Sequence, residues 1–152
     1  MINQELVRKI AYLERRLDNL AKPEAGWTPH FLTTAYTNAN FNGDSFSDVA
    51  ANTKIENTDW STTIPSDAKA LMIYGQCRDS GSAATADLFF NLYTTAGGST
   101  AAFAMTSSGA PNDSSAYGQA VVPCTDGDVW YKCAASGADT MDVWLYCWGW
   151  WS

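Results

Sequence analysis

The chain has 152 residues, of which 46% are hydrophobic and 13% aromatic, so it can form one sizeable core but not two full domains. Its net charge of −7 argues against a nucleic-acid partner, because phosphate binding needs clustered Lys and Arg. No apolar run approaches the roughly 20 residues that span a bilayer, and the N-terminal stretch is charged where a signal peptide would be apolar, so we expect synthesis in a cytoplasm and no membrane partner.

Residues 1–22 are predicted to form an α-helix with one narrow apolar seam. They hold five of the nine basic residues and no glycine. The apolar residues of the seam follow one another at intervals of four and three, as in a heptad repeat, and are Leu6, Ile10, Leu13, Leu17 and Leu20. We therefore expect a coiled-coil stem that joins copies of the chain, as a homotrimer in preference to a dimer. The alternative is that the seam packs on the chain's own β-domain.

Pro23 ends the helix, and residues 23–26 form a short linker to a head that spans residues 27–152. The head is rich in β-branched and aromatic residues, and turn sequences such as TAGGS, TDGD and ASGAD interrupt it. Eight strands are predicted, over residues 27–36, 46–55, 68–78, 86–95, 100–107, 117–124, 128–135 and 140–151. Short strands at this spacing predict an all-β sandwich of antiparallel strands, most simply a jelly roll.

Both faces of the last predicted strand are apolar. One face carries Met141, Val143, Leu145, Cys147 and Gly149. The other face carries Asp142 and four aromatic residues, Trp144, Tyr146, Trp148 and Trp150. We expect the aliphatic face to enter the core and the aromatic face to contact a neighbouring subunit, a sugar or the other sheet. A neighbouring subunit is favoured, because the stem already indicates self-association.

The four cysteines are predicted to be free thiols, in preference to the disulfides that their even number permits. Strand alternation directs Cys77, Cys133 and Cys147 into the core, where a thiol behaves as a small apolar group. The chain has no CxxC spacing, and its single histidine, His30, has no cysteine near it in sequence. The sequence therefore gives no sign of a zinc site.

The sequence contains no recognisable catalytic motif. It has no GxSxG elbow, and His30 lies near the junction of the two modules. Several carboxylates occupy turn sequences, where Asp is favoured for turn geometry alone; they are Asp79, Asp113, Asp126 and Asp139. We therefore expect neither enzyme activity nor a cofactor.

Residues 38–50, NANFNGDSFSDVA, are similar to a calcium loop because Asn and Asp alternate around a glycine. An EF-hand loop needs glycine at its sixth position and a carboxylate at its twelfth. Counted from Asn40, the chain has Ser45 and Ala51 at these two positions. We interpret the Asn42–Gly43 pair as a turn between two strands and predict no metal site. The carboxylates to check for a bound ion are Asp44 and Asp48.

Longer sequence patterns follow one another through the head in a fixed order. They are GDSFS at 43–47, PSDAKAL at 65–71, RDSGS at 78–82, VVPC at 121–124, GDVWY at 127–131 and DVWLYCWGW at 142–150. In order and wording they resemble a family of small β-sandwich proteins found in bacteriophage and prophage structural gene regions and in marine viral sequence. The resemblance covers residues 42–151 and leaves out the N-terminal helix.

This resemblance implies a virion setting and not an activity. Appended helices of this kind are similar to the stems of virion fibres, head spikes and decoration proteins. We therefore expect a protein of the virion surface, a capsid decoration, head fibre or short spike in preference to a tail component, which docks on other virion proteins through its stem. The alternative is a lectin-like tip of a tail fibre, whose aromatic residues stack on a host surface glycan.

Overall fold

The computed structural model describes residues 26–81, 88–108 and 110–152, except for the side chain of Asp44. The predicted stem lies outside the described residues, together with its seam of Leu6, Ile10, Leu13, Leu17 and Leu20, and stays a prediction. In the described part of the chain, no helix is long and apolar enough to cross a membrane.

The head is built from β-strands, as the alternating sequence patterns predict. The described strands are β1 (Pro29–Phe46), β2 (Val49–Ile55), β3 (Ala70–Asp79), β4 (Phe89–Tyr93), β5 (Phe103–Thr106), β6 (Ser115–Pro123), β7 (Val129–Ala134) and β8 (Met141–Trp151). Each of them overlaps one of the eight predicted strands, so the all-β prediction for the head is confirmed.

The strands form two antiparallel sheets of four. We call β1-β8-β3-β6 the front sheet and β2-β7-β4-β5 the back sheet. The first strand pairs with the last, the second with the seventh, the third with the sixth and the fourth with the fifth. The predicted sandwich is confirmed, and this strand order is that of a jelly roll.

The core lies between the two sheets. Leu71 and Ile73 from the front sheet and Phe90 and Leu92 from the back sheet are fully buried there. The predicted aliphatic face of β8 also enters the core, since Met141, Val143, Leu145 and Cys147 are each at most 1% exposed. Alternation along a strand therefore identified the inward residues over most of β8.

Three cysteines lie in this core as predicted, and all four are free thiols in the structure. Burial raises the pKa of Cys77 and Cys133 to about 12 and that of Cys147 to about 11. The half-buried Cys124 also has its pKa raised by burial, to about 11. A thiol that stays protonated at neutral pH is a poor nucleophile, and the three buried cysteines serve as packing groups of the core.

The first strand is longer than predicted, because the Asn42–Gly43 pair is not a turn. Both residues lie inside β1, which continues to Phe46 and pairs with β8 along its length, with shifts of register beside Asn42. Gly43 has a φ of 104°, and a Cβ there would lie 2.8 Å from the indole of Trp144. Glycine thus permits an irregular bulge beneath a tryptophan ring, and the chain reverses only after Phe46.

Candidate interaction face

A bulge in β8 divides its aromatic residues between the two faces of the front sheet. Cys147 pairs with Ile73 and Gly149 pairs with Met72, so Trp148 is an extra residue with no partner on β3. One inserted residue reverses the alternation that follows it. Beyond the bulge, Trp150 pairs with Leu71, whose side chain is fully buried.

The prediction that Trp150 shares the outer face is therefore wrong. Trp150 packs against the core, and its ring stacks on those of His30, at 5.2 Å between centroids, and Tyr36, at 6.2 Å. Trp151 lies on the outer face in its place, with its ring edge-on to Phe31 at 6.1 Å. The physical reason is the extra residue at Trp148, which strand alternation alone does not predict.

The upper half of the outer face, which is the half nearer to Asp79 and Met141, carries a row of aromatic rings across three strands. Trp144 and Tyr146 of β8 lie on this face as predicted, and Tyr146 pairs with Tyr74 of β3. The ring of Tyr74 lies 5.9 Å from that of Tyr146 and 6.4 Å from that of Tyr117 on β6. Neither Tyr74 nor Tyr117 was a sequence candidate, since their place beside β8 depends on the strand order.

Polar groups border these rings at the far end of the front sheet. The guanidinium of Arg78 lies 5.4 Å from the centre of the Trp144 ring and donates to Asp142 at 2.9 Å. The hydroxyl of Ser45 donates to the same carboxylate at 3.2 Å. A ring bordered by planar polar side chains can stack on a sugar as well as pack on a protein.

The other end of the outer face is the most exposed apolar surface of the head. Phe31 is 67% exposed, Val121 48% and Trp148 40% at this end, while Tyr117, which is 61% exposed, lies further along β6 at the level of Trp144. A shallow groove of about 290 Å³ lies beside them, lined by Met72, Gln119, Ala120 and Val121. Water-exposed apolar side chains grouped on one sheet face are typical of a surface that contacts another molecule.

The N-terminal part of the chain joins the head at this apolar end. Thr28 donates its backbone N–H to the carbonyl of Ser152 at 2.8 Å, and Ser152 donates to that of Thr28 at 3.1 Å. His30 Nε2 lies 2.8 Å from the Ser152 hydroxyl, and Trp27 is 55% exposed. The described chain therefore begins beside Phe31, and His30 belongs to the packing at this end of the head.

The residues proposed for an ion check have other roles or fall outside the description. The carboxylate of Asp48 accepts the backbone N–H of Ala135 at 2.7 Å, which ties the turn after β1 to the end of β7. The side chain of Asp44 is not among those that the structure describes. No group of three or more His, Cys, Asp or Glu in residues 26–81, 88–108 and 110–152 could hold a metal ion.

Asp79 is a buried carboxylate whose role the sequence reading missed. It is 1% exposed and accepts hydrogen bonds from the backbone N–H groups of Gly81 and Ser136 and from the hydroxyls of Ser136 and Thr140. Burial alone would raise its pKa, but these hydrogen bonds together lower the pKa of Asp79 below its usual value. Asp79 thus ties the RDSGS turn to the ASGADT loop before β8, which is a structural task.

Comparisons with protein-family models, with curated proteins and with solved structures find no match to this chain. Its candidate site therefore rests on geometry. The outer face of the front sheet presents rings and aliphatic groups, and the chemistry that these groups offer is packing and stacking.

Proposed function

We propose that the chain is a structural protein of a bacteriophage virion surface, a trimeric head fibre, capsid decoration or short spike that acts by assembly and not by catalysis. The helical stem of residues 1–22 joins the copies and docks on other virion proteins. The β-sandwich head packs against neighbouring copies through the outer face of the front sheet.

The observation that carries this proposal is the row of exposed apolar residues on one face of one sheet. Tyr117, Val121, Phe31 and Trp148 are all at least 40% exposed there, next to the aromatic row around Tyr74. A soluble sandwich normally turns polar residues outward, so this face is expected to be covered by a partner. The described chain begins beside Phe31, so a stem over residues 1–22 would hold a second copy close to this face.

The virion setting is supported by the sequence resemblance. The RDSGS pattern of that family includes the buried Asp79, and its GDSFS pattern includes Gly43, which lies against Trp144. Both patterns thus contain residues with a demanding structural role in this head. A shared jelly-roll framework is the simplest reason for the resemblance.

A second candidate function is receptor binding by a tail-fibre tip. The upper half of the face favours it, because the rings of Trp144, Tyr146 and Tyr74 lie beside the polar Arg78 and Gln76. Aromatic faces bordered by hydrogen-bonding side chains are suited to stacking on a glycan. This function would need the face to be free of neighbouring subunits.

Light scattering on the full-length chain tests the proposal. Truncating an interface tryptophan often costs more than about 2 kcal/mol, so Trp148→Ala should weaken the oligomer by roughly 30-fold in dissociation constant. Trp130→Ala is the matched control, because Trp130 lies on the outer side of the back sheet opposite Lys54. Circular dichroism checks that both variants fold.

The opposite result would favour the second candidate. If Trp148→Ala and Trp144→Ala leave the oligomer intact but abolish binding to host cells or to a glycan array, the face is a receptor site. If the unaltered chain is a monomer at all concentrations, the assembly proposal fails.

A further inference from the structure

The exposed apolar residues of the front sheet form two patches at opposite edges. We call Tyr117 and Val121, on the edge strand β6, the edge patch, and Phe31 and Trp148, on β1 and β8, the base patch. The strand order places β8 and β3 between β1 and β6. Three steps of about 4.8 Å therefore separate the Phe31 and Val121 backbones by roughly 14 Å.

Val121 of the edge patch lies at the same height along the strands as Phe31 of the base patch. Phe31 pairs with Gly149, Gly149 with Met72, and Met72 with Val121, so one row crosses the whole front sheet. The middle of this row is low, because Gly149 has no side chain and Met72 is half-buried beside the groove. Two raised apolar patches thus border a lower strip.

The place where the described chain begins limits how two copies can meet. Thr28 lies beside Ser152 at the ends of β1 and β8, close to the base patch. If the predicted stems associate in parallel and continue the direction of β1, the heads are related by rotation about an axis that runs along the strands. Such a rotation leaves heights unchanged and brings opposite edges of the face together. An antiparallel pair would instead bring each patch against the same patch of the partner copy.

We propose that the edge patch of one copy packs on the base patch of the next. Val121 then contacts Phe31 and Trp148 of the neighbouring copy, and Tyr117, which lies four residues or roughly 13 Å further up β6, faces the level of Trp144. A contact between two different patches is directional, so it continues from copy to copy and closes into a ring. This inference rests on the proposed function and names its contact.

Site-directed cross-linking of the full-length chain tests this contact. The double variant F31C/V121C is treated with a short bismaleimide, and the unaltered chain treated in the same way measures any reaction of the four native thiols, of which Cys77, Cys133 and Cys147 are buried. We expect loss of the monomer band and a ladder that ends at the size of the ring. Co-expressed F31C and V121C single variants should give cross-linked pairs that contain one chain of each.

Single-site and back-sheet variants provide the controls. V121C alone should stay uncross-linked, and so should T53C/V121C, because Thr53 lies on β2 of the back sheet. A 121–121 product, or an oligomer in which F31C/V121C does not cross-link, would overturn the inference and leave the assembly proposal standing. A monomer in light scattering would instead remove the proposed function itself. Thermal melts of each variant confirm that the head is folded.

Discussion

The outer faces of the two sheets differ far more than their inner faces. On the back sheet, Tyr93 is only 6% exposed, and the ammonium of Lys132 lies 5.5 Å from the centre of its ring. Lys54 on the same sheet pairs with Asp128 at 2.7 Å. On the front sheet, Tyr117 and Trp148 have most or much of their surface in water. Both faces carry aromatic rings, and in the described part of the chain each face has one ring with a cation above it, Tyr93 with Lys132 and Trp144 with Arg78. The exposed rings of Phe31, Tyr117 and Trp148 on the front sheet have no such contact in that part of the chain.

This difference indicates where the head meets another molecule. A lysine can lay its apolar stem over a ring and keep its charge in water, which lets an outward aromatic residue remain soluble. The four strands of the front sheet carry one Lys or Arg, Arg78, and that residue lies at the end away from the base patch. The uncovered rings are therefore the ones available to a partner.

The largest effect on stability is expected in the core between the two sheets. Phe90 of the back sheet is fully buried, and its ring lies 5.2 Å from that of Phe41 on the front sheet. Phe90→Ala should lower the free energy of unfolding by about 3–5 kcal/mol, because it leaves a cavity between the sheets. Urea unfolding measures it. Phe89→Ala, one residue along and half-buried on the outer side, is the control, and an equal loss there would contradict the inward and outward assignment.

A smaller effect is expected at the end of β3, where the front sheet is tied to the loop before β8. Four groups donate hydrogen bonds to the Asp79 carboxylate, and Asp79→Asn replaces one of its two acceptor oxygens by an amide donor. This change should lower the free energy of unfolding by about 1–3 kcal/mol at pH 7. The folded pKa of Asp79 is lowered, so its stabilisation is complete above the ordinary Asp pKa of about 3.9 and is lost as the pH falls through the folded value.

The stability difference between the native chain and Asp79→Asn should therefore shrink in acid. Urea unfolding at a series of pH values measures it. Asp139→Asn is the control, because Asp139 lies in the same loop but is exposed, with Ser47 as its partner. A difference that does not change with pH would mean that the Asp79 carboxylate is not the stabilising group.

The smallest expected effect comes from removing the cover of the back face. Lys132→Ala deletes the cation above Tyr93 and should cost about 0.5–1 kcal/mol, the range for such contacts at the surface. It should also make the back face more like the front, as increased binding of a hydrophobic dye would detect. If dye binding stays unchanged, groups other than Lys132 keep the ring of Tyr93 out of water.

Most of the fold was predictable because it follows from local alternation and turn residues. The strand that contains Leu71, Ile73 and Cys77 was assigned with the correct inward face. Two features were not predictable, the bulge at Trp148 and the continuation of β1 through Gly43. Both features depend on how a strand pairs with its neighbour. One inserted residue reverses the inward or outward assignment of every residue that follows it in the strand.

The candidate face was found only in part for the same reason. Trp144, Tyr146 and Trp148 belong to the last strand and could be grouped from the sequence. Phe31 and Val121 come from strands that are distant in sequence, and their common row exists only through the order of the sheet. Exposure of an edge strand cannot be read from its own residues.

The paired hydrogen bonds between Thr28 and Ser152 have a practical consequence for protein engineering. A fluorescent protein or affinity tag attached at Ser152 would lie beside Thr28, where it would crowd Phe31 and Trp148. The reversal between β1 and β2, after Phe46, lies at the opposite end of the strands. A label inserted there would lie away from Thr28 and Ser152 and leave both patches unobstructed.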